Sequence, residues 1–530
     1  MTGQIKIIDL FSGPGGLGEG FSSFGAEPGK KSPFKIAISI EKEVSAHATL
    51  TLRAFYRQFP LGEAPAEYYD FLKGRLGKSP EEKLFSDKKF AAQVKAAKKE
   101  ARCLTLGEQN AEIYKAIDDA IKGDPCIVIG GPPCQAYSLV GRARRNGEPD
   151  YVAEDDHRNF LYREYLKILA QYKPIAFVME NVKGMLSAEI EGVRIFDQIL
   201  KDLHDPCRFI GKRGEKYRVL SLVVPPSSEL QPSDYIIRSE NYGIPQARHR
   251  VILLGIQEKY ASLFTKDMLL REKSGPDLLS IIGGLPKLRS GLSKEVDTYE
   301  GWVDAISSLR FDAVKEISKA GVQGINAGTL NKHIESAIKG LKGTPDDRGG
   351  NFSQSRYAGS VFDGMSRSLV KWYKDPSGQS LVCNHETRGH IRDDLRRYLF
   401  ASAWAEAAKD SERSFPRPED YPKALWPKHK NFHSGVFADR FRVQVKDRHA
   451  TTVTSHISKD GHYFIHYDPS QCRSLTVREA ARVQTFPDNY FFVGNRTQQY
   501  VQVGNAVPPL LAEKIAAIVH RVIEAASINK

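Results

Sequence analysis

A glycine-rich turn placed between a strand and a helix, within the first two dozen residues, narrows the folds open to this chain more than any other feature. Gln4–Leu10 reads as a buried strand, and Gly13-Pro-Gly-Gly-Leu-Gly18 turns it into a helix running to about Phe24. Phe34–Ile40 is a second strand ending in Glu41, followed by a helix with Val44, Ala48, Leu52 and Phe55 on one face. Strand, turn, helix and strand in that order open a doubly wound α/β sheet. In such a turn the backbone can approach a ligand closely, and the helix N-terminus presents free N–H groups and a positive dipole end. Glu41, closing the second strand, is placed to bond ribose hydroxyls. The turn is not GxGxxG, so a dinucleotide is not the obvious ligand.

The alternation breaks and resumes. Residues 60–122 read as an inserted basic helical segment, with ten basic and four acidic residues between Lys73 and Arg102. Two readings fit it, a solvated charged helix pair or a phosphate-contacting surface. Strands are then expected at Cys126–Ile129, Ile175–Met179, 217–224, 235–240 and 250–255, with helices at 158–171 and 193–203. Residues 257–450 lose this rhythm and become rich in Gly, Ser, Arg and aromatics. Helical patterns return at Thr476–Gln484 and Pro508–Ala526. The economical layout is one α/β domain built from 1–256 and 451–530, with a different domain, 257–450, between the two segments.

Composition excludes several classes. With 530 residues, 41% hydrophobic and 27% charged, the chain is globular and large enough for more than one core. No apolar run approaches the roughly 20 residues of a membrane span, and Met1–Ile8 has no signal-peptide layout. The six cysteines are scattered without a CxxC pair, which suits a reducing cytosol. A net charge of +13 is compatible with a nucleic-acid partner. Cys383-Asn-His-Glu-Thr-Arg-Gly-His390 has one cysteine and two histidines, short of a zinc set, so no metal is expected.

Chemistry-bearing residues gather behind the strands. Cys134 stands on a stiff loop, Gly130-Gly-Pro-Pro-Cys-Gln-Ala-Tyr-Ser138, directly after a strand, where such folds bind ligands. A nucleophile is the reading this context favours over a small buried hydrophobe. Glu180, in Met179-Glu-Asn-Val-Lys-Gly184, follows an apolar strand whose desolvation favours a protonated carboxyl, the alternative being a structural acid at a helix N-terminus or in a salt bridge. In Gln246-Ala-Arg-His-Arg250, strand alternation puts Arg248 and Arg250 on one face, suited to an anionic or carbonyl-bearing ligand unless one of them pairs a structural carboxylate. Arg473-Ser-Leu-Thr-Val-Arg-Glu479 starts a helix at a Thr476 cap with Glu479 three residues on, a capping box. Gln502-Val-Gly-Asn-Ala-Val-Pro-Pro509 turns into the last helix.

These six motifs, in this order, resemble the DNA (cytosine-5)-methyltransferase family. The resemblance covers the α/β portion, roughly half the chain. It implies a doubly wound, mostly parallel α/β sheet of the S-adenosylmethionine-dependent methyltransferase type, with a separate target-recognition domain, 257–450, inserted near the C-terminus. It implies S-adenosylmethionine as methyl donor and a target cytosine flipped out of duplex DNA. By motif, Cys134 would add to carbon 6 of cytosine and Glu180 would serve ring nitrogen 3. Arg250, with Arg248 beside it, would meet the base near its carbonyl oxygen. Phe11, Gly13, Pro14, Gly15, Gly16 and Pro133 would line the cofactor site, and Glu41 would take the ribose. Leu161 would pack on the adenine, and Asn505 with Ala506 would close the methionine end. Residue 42, also at the cofactor, is Lys where an aromatic is common in the family. The acidic contact to the adenine amino group has no clear match, Glu108 being a guess. Gln135, Ser138, Arg388 and Arg392 would contact DNA.

The implied protein is a modification enzyme acting on double-stranded DNA, alone or paired with a restriction endonuclease. It would be a monomer on DNA, without membrane attachment, in the bacterial cytoplasm at the nucleoid. A tRNA cytosine-5 methyltransferase uses the same motifs, but the large 257–450 segment suits choice among DNA sequences. A non-catalytic DNA-binding relative is disfavoured by Cys134, Glu180 and Arg250. Because the thiolate is the reactive species, Cys134→Ser is expected to keep near-normal affinity for target DNA and lose methyl incorporation. Filter binding and a labelled-methyl assay on one preparation check this, and substantial turnover by the variant would contradict it.

Overall fold

The computed structural model describes residues 3–133, 157–190, 193–309, 325–354, 361–408, 413, 415–417, 420–427 and 440–528. Five strands run parallel: β1 (Ile5–Leu10), β2 (Phe34–Glu41), β3 (Ala101–Cys103), β4 (Cys126–Gly130) and β5 (Ala176–Val182). They are joined by β6 (Tyr217–Leu220), β7 (Ile236–Arg238) and β8 (His249–Gln257). The sheet order is β3-β2-β1-β4-β5-β8-β6, with β7 also on β8, and β8 runs antiparallel to each of its partners. β6 is shorter than the expected 217–224. The Ser221 hydroxyl accepts from the N–H groups of Val223 and Val224, both at 3.1 Å, and this turns the backbone out of the ladder.

Strand side chains alternate between two covered faces, which is why β1, β4 and β5 are apolar on both sides. Ile5, Ile7, Ile127, Ile129 and Val178 pack under α1 (Gly16–Ser23) and the C-terminal helix Pro509–Ile528. Ile8, Leu10, Val128 and Phe177 face residues of three helices, Asn110–Ile121, His157–Tyr172 and Ile195–His204.

α2 (Val44–Tyr56) departs from the expected face: Val44 is 71% exposed, while Thr49, Leu50, Leu52, Ala54 and Phe55 are buried. The helix is enclosed on a second side by α3 (Ala66–Leu72), α4 (Pro80–Ser86) and α5 (Ala91–Glu100). Tyr68, Phe71, Leu84, Phe90 and Val94 form a core there with Phe55, Leu381 and Phe491. This segment is therefore a packed helical layer with lysines on its outer surface, Lys88, Lys95, Lys98 and Lys99 among them. β3 and the helix Asn110–Ile121, inside the span 60–122, are sheet elements, so the insertion proper narrows to α3, α4 and α5.

Residues from 257–450 contribute a separate cluster around Trp302, Leu330, Tyr398 and Trp404, which also takes in Ile465 and Cys472. The expected helix at Thr476–Gln484 is present as Val477–Val483, capped by the expected box: Glu479 N–H donates to Thr476 Oγ1 and Thr476 N–H to Glu479 Oε2. Around it three fully buried arginines brace distant segments. Arg473 makes a bidentate pair with Glu479, both bonds at 2.7 Å. Arg482 pairs with Asp488 at 2.9 and 2.7 Å and donates to the carbonyls of Ile281 and Val361. Arg478 donates to the carbonyls of Cys383, Pro487 and Tyr490. Ions persist in such a place only when every charge has a partner. Removing one partner of a buried pair costs about 3–5 kcal/mol, so Glu479→Ala should lose about that much in urea unfolding. A loss below about 1 kcal/mol, the worth of a surface pair, would contradict a bracing role.

Candidate active site

A cavity of about 460 Å³ opens at the carboxyl ends of β1, β2, β4 and β5, where the strand order reverses. That position is the ligand crevice of an open α/β sheet. The glycine-rich turn forms its floor. Phe11, Gly13 and Gly15 all adopt positive φ, at 52°, 55° and 94°, and Phe11 and Gly13 line the cavity. Glu41 both lines the cavity and holds the turn: its carboxylate accepts from Gly13 N–H and Glu43 N–H, each at 2.8 Å. Lys42 is exposed at the rim. Leu104, Thr105, Leu106 and Leu161 make the opposite wall, whereas Glu108 is exposed and does not line the cavity. The wall residues 104–106 were missed in the sequence because β3 is only three residues long.

Glu180, in β5, faces Arg250, in β8, across the antiparallel pair. Their Oε1 and Nε atoms are 2.9 Å apart, with both side chains 16% exposed. Asn181, next to Glu180 and 4% exposed, donates from Nδ2 to the Pro132 carbonyl at 3.3 Å. The Pro-Pro loop is thereby tied beside the carboxylate, and a Cβ on Gly131 would stand 2.8 Å from Glu180 Oε2. Pro133 lines the cavity. Cys134, Gln135 and Ser138 lie outside the described residues.

Arg248 and Arg250 both border the cavity but differ in their partners. Arg248 N–H donates back to the Gln246 carbonyl at 2.8 Å, a tight turn that interrupts the strand before β8 begins at His249. Simple alternation therefore does not carry through residue 248. The Arg248 guanidinium is 1% exposed and donates to the carbonyls of Val453 (2.8 Å) and Gly504 (3.2 Å). Gln246 accepts from Val453 N–H at 2.7 Å and donates to Gln484, which donates in turn to the carbonyls of Val503 and Ala506, both at 2.8 Å. These bonds bring Thr454, Ser455, Gln502 and exposed Asn505, together with buried Ala506, onto the cavity. Nothing local in the sequence marks residues 454 and 455.

The remaining expected residues have internal partners. Arg388 is 9% exposed, donates to the carbonyls of Ile457 and Lys459, and stacks 4.6 Å from the Tyr500 ring centre. Arg392 pairs with Glu295 and Asp304. Cys383, His385 and His390 are all buried; the His385 ring bonds Thr476 and the Pro286 carbonyl.

The sequence model of the C-5 cytosine-specific DNA methylase family matches residues 94–299 and 375–521. Type II methyltransferase M.Bpa9945I of Bacillus paralicheniformis is 32% identical, over 98% of this chain and 99% of that protein. Type II methyltransferase M.AgeI of Thalassovita gelatinovora is 24% identical, over 97% and 98%. Type II methyltransferase M.DdeI of Desulfomicrobium norvegicum is also 24% identical, over 97% of this chain and 88% of its own length. With the site at the sheet's reversal point and these matches along nearly its whole length, the chain belongs to the C-5 cytosine-specific DNA methylase family.

Proposed function

We propose that this methylase transfers a methyl group from S-adenosylmethionine to carbon 5 of a cytosine flipped out of a specific duplex sequence, through a covalent adduct on Cys134. The observation that carries the reading is the pairing of Glu180 with Arg250 at 2.9 Å in the same cavity as the glycine-rich turn and Glu41. One cavity thus offers groups for a base and groups for a nucleoside cofactor.

The residues present fit that cofactor. The turn at Phe11–Gly13 suits its amino-acid end and Glu41 its ribose, while Leu161 and Leu106 give an apolar wall for the adenine. Asn505 and Ala506 close the opening, with Pro14, Gly16, Lys42 and Pro133 completing the surround, whereas Gly15, expected there, backs onto Leu50 and Tyr490 and does not line the cavity. When bound, S-adenosylmethionine supplies an electrophilic methyl group. Carbon 5 of cytosine is a poor nucleophile until a thiolate adds to carbon 6, and Cys134 is the residue that adds. The ring then becomes an enamine, nucleophilic at carbon 5. Arg250 fixes one oxygen of Glu180, and the other serves nitrogen 3, where a proton stabilises the adduct. The remaining N–H groups of Arg250 suit the base carbonyl oxygen. Carbon 5 would take the methyl group as the methyl–sulfonium bond breaks. Water would then accept the carbon 5 proton, the carbon 6–sulfur bond would break to release the Cys134 thiolate, and the nitrogen 3 proton would return to Glu180. Extruding the base from the stack costs a few kcal/mol, which contacts elsewhere on the duplex must offset.

Residues 257–450 are assigned to choosing the sequence. Arg388 and Arg392 are already held by internal partners, so base reading is left to other side chains of that segment, with Gln135 and Ser138 near the target base. The type II names of the relatives support a restriction–modification setting, in which a cognate endonuclease cleaves the unmethylated sequence. The enzyme would act as a monomer on DNA in the bacterial cytoplasm; among the described residues, no helix is long and apolar enough to cross a membrane.

Glu180 gives the sharpest test. Gln keeps the size and hydrogen bonding of Glu but cannot transfer a proton. General acid–base groups contribute on the order of 100- to 10,000-fold in rate. Glu180→Gln should therefore fold and bind S-adenosylmethionine normally, yet lose roughly two orders of magnitude or more in single-turnover methylation of duplex DNA. A rate within about threefold of wild type, against the 100-fold floor, would return Glu180 to a structural role. Label transfer to tRNA in preference to duplex DNA would overturn the choice of substrate.

A further inference from the structure

The glycine-rich turn is held from outside by a side chain near the other end of the sequence. Tyr490 is 1% exposed, and its hydroxyl donates to the carbonyl of Pro14. The hydroxyl sits against Gly15, where φ is +94° and a Cβ would stand 2.9 Å from it. Glycine takes that left-handed backbone without strain, so the turn and the hydroxyl fit each other only in this shape.

Tyr490 is itself fixed on every side. Phe486 and Phe492 pack its ring at centroid distances of 4.8 and 5.5 Å, and the Arg53 guanidinium lies 4.9 Å over it. Arg53 donates from Nε to Glu19, in α1, at 2.9 Å, and from Nη1 to Asn489 at 3.1 Å. The Tyr490 carbonyl accepts from Arg478 at 2.6 Å. A hydroxyl mounted this rigidly can set the position of a backbone carbonyl in the cavity floor.

We propose that Tyr490 is a positioning residue for the cofactor, shaping the turn from Gly13 to Gly16 through the Pro14 carbonyl. The proposal rests on the reading that this cavity takes S-adenosylmethionine. Without the hydroxyl, the buried Pro14 carbonyl loses that donor and the turn can relax away from its binding shape. The loss then appears in cofactor affinity and not in DNA affinity.

The test compares Tyr490→Phe with wild type and with Tyr217→Phe. Tyr217 is a matched control: it is equally buried on β6, at the sheet edge remote from β1, and donates to the Pro174 carbonyl at 3.0 Å. Titration calorimetry with S-adenosylmethionine reads affinity on the binding-competent fraction alone. Tyr490→Phe should bind about five- to tenfold more weakly, the equivalent of one lost hydrogen bond. Its single-turnover rate at saturating cofactor and its affinity for duplex DNA should match wild type. Tyr217→Phe should lower the melting temperature without changing cofactor affinity. Wild-type affinity in Tyr490→Phe, or an equal weakening in Tyr217→Phe, would overturn the positioning role. Failure of the wild-type protein to bind S-adenosylmethionine would instead overturn the cofactor reading on which it rests.

Discussion

The cavity exists because the closing segment of the chain is bonded to the end of the sheet through Gln246 and Arg248. β8 is the last strand of the sheet along the chain, yet one wall of the cavity comes from residues 454–455, 501–502 and 504–507. A guanidinium 1% exposed to solvent cannot be left unpaired. Arg248 meets part of that demand through Nη1 and Nη2 on the carbonyls of Val453 and Gly504, while among the described residues its Nε has no hydrogen-bond partner. Gln246 and Gln484 extend the same logic to Val503 and Ala506. The intervening stretch is tied to the same closing segment by packing and by Arg478 and Arg482, since Ile281, Val361 and Tyr373 share a core with Val453, Ile457 and Val503.

The same arrangement separates two kinds of arginine within one motif. Arg248 faces carbonyls and fixes the wall. Arg250, two residues on, faces Glu180 and stays partly open to the cavity. The interruption of the strand at Arg248 is what separates them. Around the helix Val477–Val483, Arg473, Arg478 and Arg482 repeat the bracing use, so the motif that starts this helix serves architecture more than chemistry.

Much of this was legible in the sequence, and the limits are physical. The glycine-rich turn, the first strands and the Thr476–Glu479 cap are local: propensity and short-range hydrogen bonds fix them within a few residues. The collection of Phe11, Gly13, Glu41, Leu161, Asn505 and Ala506 around one cavity follows from the sheet's topology once its motifs are matched. Partners far apart in sequence were not legible. Tyr490 and Pro14, or Gln246 and Gln484, carry no mark of their contact. Val44 was expected on the buried face of α2 because periodicity does not show which side a later insertion will cover. The run Lys73–Arg102 reads as a solvated pair or a phosphate-contacting surface because its charges dominate the count, while Phe90 and Val94, with Tyr68 and Phe71 just upstream, build a core.

The most direct test of the central claim, methylation of carbon 5 in a short duplex sequence, is bisulfite sequencing of DNA from a host lacking cytosine methylation, grown with and without this gene. The reading predicts protected cytosines at a single position of one short sequence motif, on DNA from cells expressing the wild-type protein, and none with Cys134→Ser. Absence of protected cytosines from DNA in cells that accumulate the folded wild-type protein would contradict it.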